Sequence, residues 1–200
     1  MNVIYILLTN TRSMLSRSIQ LFTNDPYNHV SLVLNEDFTE IYSFGRLKKE
    51  NPLIGGFVNE FQTKIYDHFE KTNCLILSID LTDFEYTELR NQIGRFKYHT
   101  TNFKYNIVGY AGFLVNYPIK RKKAYFCSQF VGELLQNSGI VYFDKPIELL
   151  KPNDFARISN TKKLYEGPFN LFEPSRKISD EMYNMIRLAM INLSEQQLGK

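Results

Sequence analysis

The apolar residues of this chain come in short packets, and that limits its fold more than any other feature. Val3–Leu8, His29–Leu34 and Cys74–Ile79 are each six residues long, with branched or aromatic side chains among them. That is the length and chemistry of strands rather than helices. The longest uncharged stretch, Tyr105–Ile119, has 15 residues and is interrupted by Asn106, Asn116 and Pro118. No segment therefore approaches the ~18–20 apolar residues that cross a bilayer. Val3–Leu8 is also too short for the apolar core of a signal peptide and has no basic segment before it. A soluble, cytoplasmic protein is the default expectation.

Two other stretches have helical spacing. Asp83–Tyr98 places Phe84, Leu89, Ile93 and Phe96 at intervals near one turn, with Thr82 or Asp83 available as N-cap. Phe126–Asn137 carries Cys127, Phe130, Val131, Leu134 and Leu135 as one stripe, with Gly139 placed to end the helix. A shorter helix is expected over Ser13–Phe22, stopped by Asn24-Asp25-Pro26. The run from His29 to Leu34 turns at Asn35–Phe38 and returns over Thr39–Phe44, while Gly45 and Gly55-Gly56 mark loops. Pro152–Phe155 is a turn, Ala156–Tyr165 extends, and Ser179–Gln196 has the pattern of an amphipathic surface helix. The fold class is α+β. A length of 200 residues, 44% of them hydrophobic, suits a single domain. Its core would lie over roughly residues 1–155, with 156–200 as a C-terminal extension.

Charge and cysteine usage remove several function classes. A net charge of +3 is too small to favour nucleic acid, and no nucleic-acid motif is visible. Two cysteines make neither a disulfide scaffold nor a zinc-finger spacing, so no metal and no cofactor is expected. Gly55-Gly56 lacks the Lys-Ser/Thr of a phosphate-binding loop. Abundant Lys, Asn, Ile, Phe and Tyr reflect AT-rich codons and point to a low-GC bacterium or one of its phages.

The reactive inventory is correspondingly small. Cys127 sits at a helix start, where unpaired N–H groups and the helix dipole favour an anion, one way of stabilising a nucleophilic thiolate. The competing reading is a small buried hydrophobe, and that is the reading for Cys74. His29 opens a strand on its polar side, a rigid position that suits a general base or an ordinary edge histidine. His68 and His99 read as surface residues.

The residues around this pair carry a resemblance. Tyr27-Asn28-His29-Val30-Ser31-Leu32 followed by a hairpin, then Tyr125-Phe126-Cys127-Ser128-Gln129-Phe130-Val131 on a helix, resembles the circularly permuted NlpC-type papain-like hydrolases. These include YiiX-like bacterial proteins and lecithin–retinol acyltransferase-like enzymes. The resemblance covers roughly Asn2–Phe155, including Pro152-x-Asp154-Phe155. It implies a papain-like antiparallel sheet packed against the helix bearing Cys127, with Cys127 as nucleophile and His29 as its proton-exchange partner. It also implies a third polar residue, on the strand after the His29 strand, that orients the imidazole. If Leu34 pairs with Thr39, His29 faces Phe44 and Ser31 faces Tyr42, so Tyr42 is the diagonal neighbour of His29 at about 7–8 Å. Tyr42 is therefore expected in the third position, and Glu40, further along, would need a shifted register.

The chemistry implied is acyl transfer: thiolate attack on an amide or ester carbonyl, with water giving hydrolysis. The backbone N–H of Cys127 is an expected oxyanion donor, with Tyr125 and Ser128 as further oxyanion or substrate-binding candidates. A peptide is the first expected substrate and an acyl lipid the second; a non-catalytic binding module is the rival class. The basic run Lys120, Arg121, Lys122 and Lys123 reads as a solvated loop or as a clamp for anionic head groups giving peripheral membrane contact. The aromatic stretch beside it reads as core or as a lipid-facing lid. Sequence does not set the oligomeric state.

Overall fold

The computed structural model describes residues 2–10, 25–46, 55–61, 72–99, 103–106, 109, 112 and 115–174. They form an α+β structure built on a six-stranded antiparallel sheet. In chain order the strands are β1 (Asn2–Thr9), β2 (His29–Val33), β3 (Ile41–Arg46), β4 (Gly55–Asn59), β5 (Asn73–Leu81) and β8 (Lys162–Pro168), and their spatial order is β4-β3-β2-β1-β5-β8. Two short strands, β6 (Lys104–Tyr105) and β7 (Ala124–Tyr125), pair parallel to each other. The described α-helices are α1 (Asp83–Tyr98) and α2 (Cys127–Asn137), with short 3-10 turns at Ile147–Leu149, Pro152–Arg157 and Phe169–Leu171.

The central position of β1 explains its unbroken apolar run. A strand covered on both faces has no polar side to show. Ile4, Ile6 and Leu8 enter one core with Phe130, Val131, Leu134 and Leu135 of α2, while Tyr5 and Leu7 enter a second core with Val33, Ile41 and Ile76. Aromatic residues from after residue 155, Tyr165, Phe169 and Phe172, pack on that second core. With β8 paired to β5, Lys162–Pro168 belongs to the sheet. The helices expected over Ser13–Phe22 and Ser179–Gln196 lie outside the described residues.

Both described helices begin and end where local chemistry directs. Thr82 caps α1 in a reciprocal box: its Oγ1 accepts from the Glu85 N–H, and the Glu85 carboxylate accepts from the Thr82 N–H at 2.8 Å. Helix α2 has Phe126 as N-cap, with no side chain satisfying its first N–H groups. It ends before Gly139, whose φ of +73° is a left-handed conformation that glycine adopts without a Cβ penalty. The stripe read from the sequence is the buried face, and it lies against β2 and β3.

The hairpin between β2 and β3 departs from the expected register. Leu32 pairs with Tyr42 and Val33 with Ile41, one residue out from the pairing of Ser31 with Tyr42. Such a slip changes every side chain's face. Tyr42 accordingly joins Leu32 in the core against α2, its ring stacked 5.6 Å from Phe57. The same register brings Ser43 beside Ser31. The turn is looser than a four-residue loop: Leu34 N–H donates to the Glu40 carbonyl, and Phe38 takes a φ of +57°. Gly55-Gly56, expected as loop, instead begins β4, which pairs with β3 through Phe44–Phe57 and Tyr42–Asn59.

Candidate active site

His29 is the first residue of β2, and its side chain is only 15% exposed. Its Nε2 lies 2.5 Å from Oε1 of Glu60, whose side chain is fully buried. Glu60 follows the last residue of β4 and is fixed there by its N–H, which donates to the Ile41 carbonyl. Ser31, two residues along β2 and so on the His29 side of the strand, donates its hydroxyl to Glu60 Oε2 at 2.6 Å. Ser43 donates to Oε1 from β3. Three adjacent strands thus hold one carboxylate with an imidazole and two hydroxyls, as a buried charge requires.

Cys127, the first residue of α2, is the other group acting on the imidazole. Nε2 faces Glu60 and Ser31. Burial by itself would push the His29 pKa down. The Glu60 carboxylate and then Cys127 outweigh that, and the imidazole is held well above its ordinary 6.5. Burial would likewise raise Glu60, but the His29 charge and hydrogen bonds from His29, Ser31 and Ser43 keep it below the usual carboxylate value. The arrangement favours an imidazolium between a carboxylate and a sulfur, at a helix start whose N–H groups carry no side-chain cap.

The structure places the other expected site residues elsewhere. The Tyr42 hydroxyl donates to Glu40 Oε1 at 2.9 Å, and burial followed by that carboxylate raises its pKa far above 10. Glu40 is bound by Arg90 at 2.6 Å and Lys97 at 3.2 Å from α1. Neither residue occupies the third position beside the imidazole; Glu60 does. The Tyr125 hydroxyl donates to Glu133 Oε1 at 3.0 Å, and Ser128 donates to the Leu150 carbonyl at 2.6 Å. Both candidate oxyanion hydroxyls are committed to fixing α2, which leaves backbone N–H groups at the helix start for that task. His99 is an exposed residue at the end of α1, and His68 lies outside the described residues. Cys74 is fully buried, and burial pushes its thiol up to about 12.

Glu60 was not read from the sequence because two glycines masked the strand that carries it. One signal was present. In Gly55-Gly56-Phe57-Val58-Asn59-Glu60 the side chains alternate after the glycines, and Glu60 shares the Val58 face, across from Ser43.

No protein-family model matches this chain, and no curated protein matches it significantly. Among the described residues no group of three or more His, Cys, Asp and Glu is placed to hold a metal ion, and no helix is long and apolar enough to cross a membrane.

Proposed function

We propose that the protein is a thiol acyl-transfer enzyme of permuted papain-like fold, a hydrolase of amide bonds that works through Cys127, His29 and Glu60. The observation that carries this reading is the imidazole held at Nε2 by a buried carboxylate while the thiol at a helix start acts on the same ring. Both cysteines are buried beside apolar side chains; Cys127 differs from Cys74 in opening a helix and in acting on the His29 ring. The chain order, with the His29 strand before the Cys127 helix, supports the permuted arrangement.

In this mechanism the Cys127 sulfur attacks the amide carbonyl carbon and the developing oxyanion meets the Cys127 backbone N–H. The protonated His29 gives its proton to the departing amine as the C–N bond breaks, leaving a thioacyl enzyme. Neutral His29 then takes a proton from water, which attacks the thioester and regenerates the thiolate. Glu60 stays ionised throughout, orienting the ring and stabilising its charged form.

The test is to trap the intermediate. Incubation with short peptide anilides and activated acyl esters, followed by peptide mass mapping, should place an acyl adduct on Cys127 and on no other residue. It should be absent in Cys127→Ala and accumulate in variants with slow deacylation. Absence of both adduct and turnover across peptides and acyl esters would overturn the enzyme reading in favour of a binding module.

A further inference from the structure

Among the described residues of the stretch before α2, Asn106 is buried and joined to Gln129 of α2 at 3.2 Å, and Gly109 N–H donates to Asn106 Oδ1. From Val115 the described chain is open to solvent. Val115 is 73% exposed and Tyr117 66%, and every residue from Val115 to Lys123 except Ile119 is exposed. Two exposed apolar side chains thus stand two residues apart on one loop.

The loop is also built. The Gly112 carbonyl accepts from the N–H groups of both Val115 and Tyr117, and Asn116 takes the left-handed φ of +54° that closes the turn. A Cβ on Gly112 would sit 2.5 Å from the Tyr117 carbonyl oxygen and 2.6 Å from the Ile119 side chain. Glycine therefore permits the close approach that turns Ile119 in and Val115 and Tyr117 out. Lys120, Arg121, Lys122 and Lys123 follow directly, and among the described residues none of them pairs with a carboxylate. Lys123 is anchored through its carbonyl to the Lys104 N–H, and β7 then runs straight to Cys127.

We propose that Val115–Lys123 is a docking surface for an anionic lipid bilayer, with Val115 and Tyr117 entering the interface and the four cations meeting phosphate head groups. The chemistry selects this occupant. Adjacent cations attract any polyanion, but an aliphatic and an amphipathic aromatic side chain beside them suit the boundary between head groups and acyl chains. An acidic peptide or nucleic acid would leave Val115 uncovered. On the thiol-hydrolase reading, docking there brings the Cys127 end of α2 to the membrane surface. The docking itself does not depend on that reading.

Vesicle co-flotation tests it, with the Cys127→Ala protein run beside wild type so that binding is measured apart from chemistry. Both should float with vesicles of mixed phosphatidylglycerol and phosphatidylcholine, and neither with phosphatidylcholine alone. Lys120→Ala/Arg121→Ala/Lys122→Ala should weaken binding about tenfold or more. Salt near 1 M, where the Debye length falls to about 3 Å, should weaken the wild type similarly. Val115→Ser/Tyr117→Ser should abolish whatever binding survives the salt. Failure of wild type to float with the anionic vesicles, or equal flotation of the triple variant, overturns the proposal. So does retention on polyglutamate or DNA without flotation. A floating protein with an unreactive Cys127 would leave docking intact and sink the hydrolase instead.

Discussion

Two carboxylates flank the same stretch of sheet, and they do different things. Glu40, before β3, is partly open to solvent and bound by Arg90, Lys97 and the Tyr42 hydroxyl. Glu60, after β4, is closed off and bound by His29, Ser31 and Ser43. Both are held below the ordinary carboxylate value. Around Glu40 the cationic partners are Arg90 and Lys97 of α1, so the cluster joins that helix to the hairpin. Around Glu60 the cationic partner seen among the described residues is an imidazole, which can gain and lose a proton and on which Cys127 also acts. A carboxylate marks a reactive site through what its partners can do, and burial against a titratable group separates the two cases.

The largest expected difference between the two is in reactivity. Glu60→Gln should slow Cys127-dependent turnover by about 10²–10⁴-fold, the range of a general acid–base contribution, with Glu40→Gln leaving the rate within about twofold. Steady-state kinetics on any substrate that acylates Cys127 checks this, and equal losses in both variants would erase the contrast.

Stability should separate them next. Removing one partner from a buried pair costs about 3–5 kcal/mol, so Glu60→Ala should lose about that much in denaturant unfolding. Glu40→Ala should lose about 1 kcal/mol or less, as partly exposed pairs do. The pH dependence sharpens the point. His29 is raised above 6.5, so its contribution is whole below that value and is lost as pH rises through the folded-state pKa. Glu60 is lowered below 4.5, so its contribution is whole above that value and is lost as pH falls through its own. The stability gap between wild type and Glu60→Gln should be flat from pH 4.5 to 6.5 and narrow beyond either end, as urea midpoints measured across pH would show.

The smallest effect concerns Tyr42. Tyr42→Phe removes one hydrogen bond to Glu40 and should cost about 1 kcal/mol without altering alkylation of Cys127. A fall in Cys127 reactivity would return Tyr42 to the site.

The elements most open to sequence reading were those with complete local signals. Helix α1 has a capping box and a regular stripe, and α2 has a stripe ending at a glycine, so their spans followed closely from the chain. The positions of Cys127 and His29 were legible because each sits at the first residue of a strongly patterned element. The third position was not, for two physical reasons. The turn after Leu34 holds one residue more than its sequence suggests, which carries Tyr42 to the opposite face. And β4 consists of two glycines and three side chains, too few to display a period, although it delivers the carboxylate. Register and glycine-rich strands are decided by neighbouring strands, and a single sequence does not contain that information locally.

The most direct test is site-resolved iodoacetamide alkylation across pH, following Cys74 and Cys127 together in wild type, His29→Ala and Glu60→Gln. The account predicts rapid Cys127 alkylation at pH 6, where a free thiol with the usual pKa of about 8.5 reacts slowly, and a silent Cys74. His29→Ala should slow it about 10- to 100-fold at that pH, with Glu60→Gln between the two. A Cys127 that reacts no faster than a free thiol, or that ignores the loss of His29, would contradict the account.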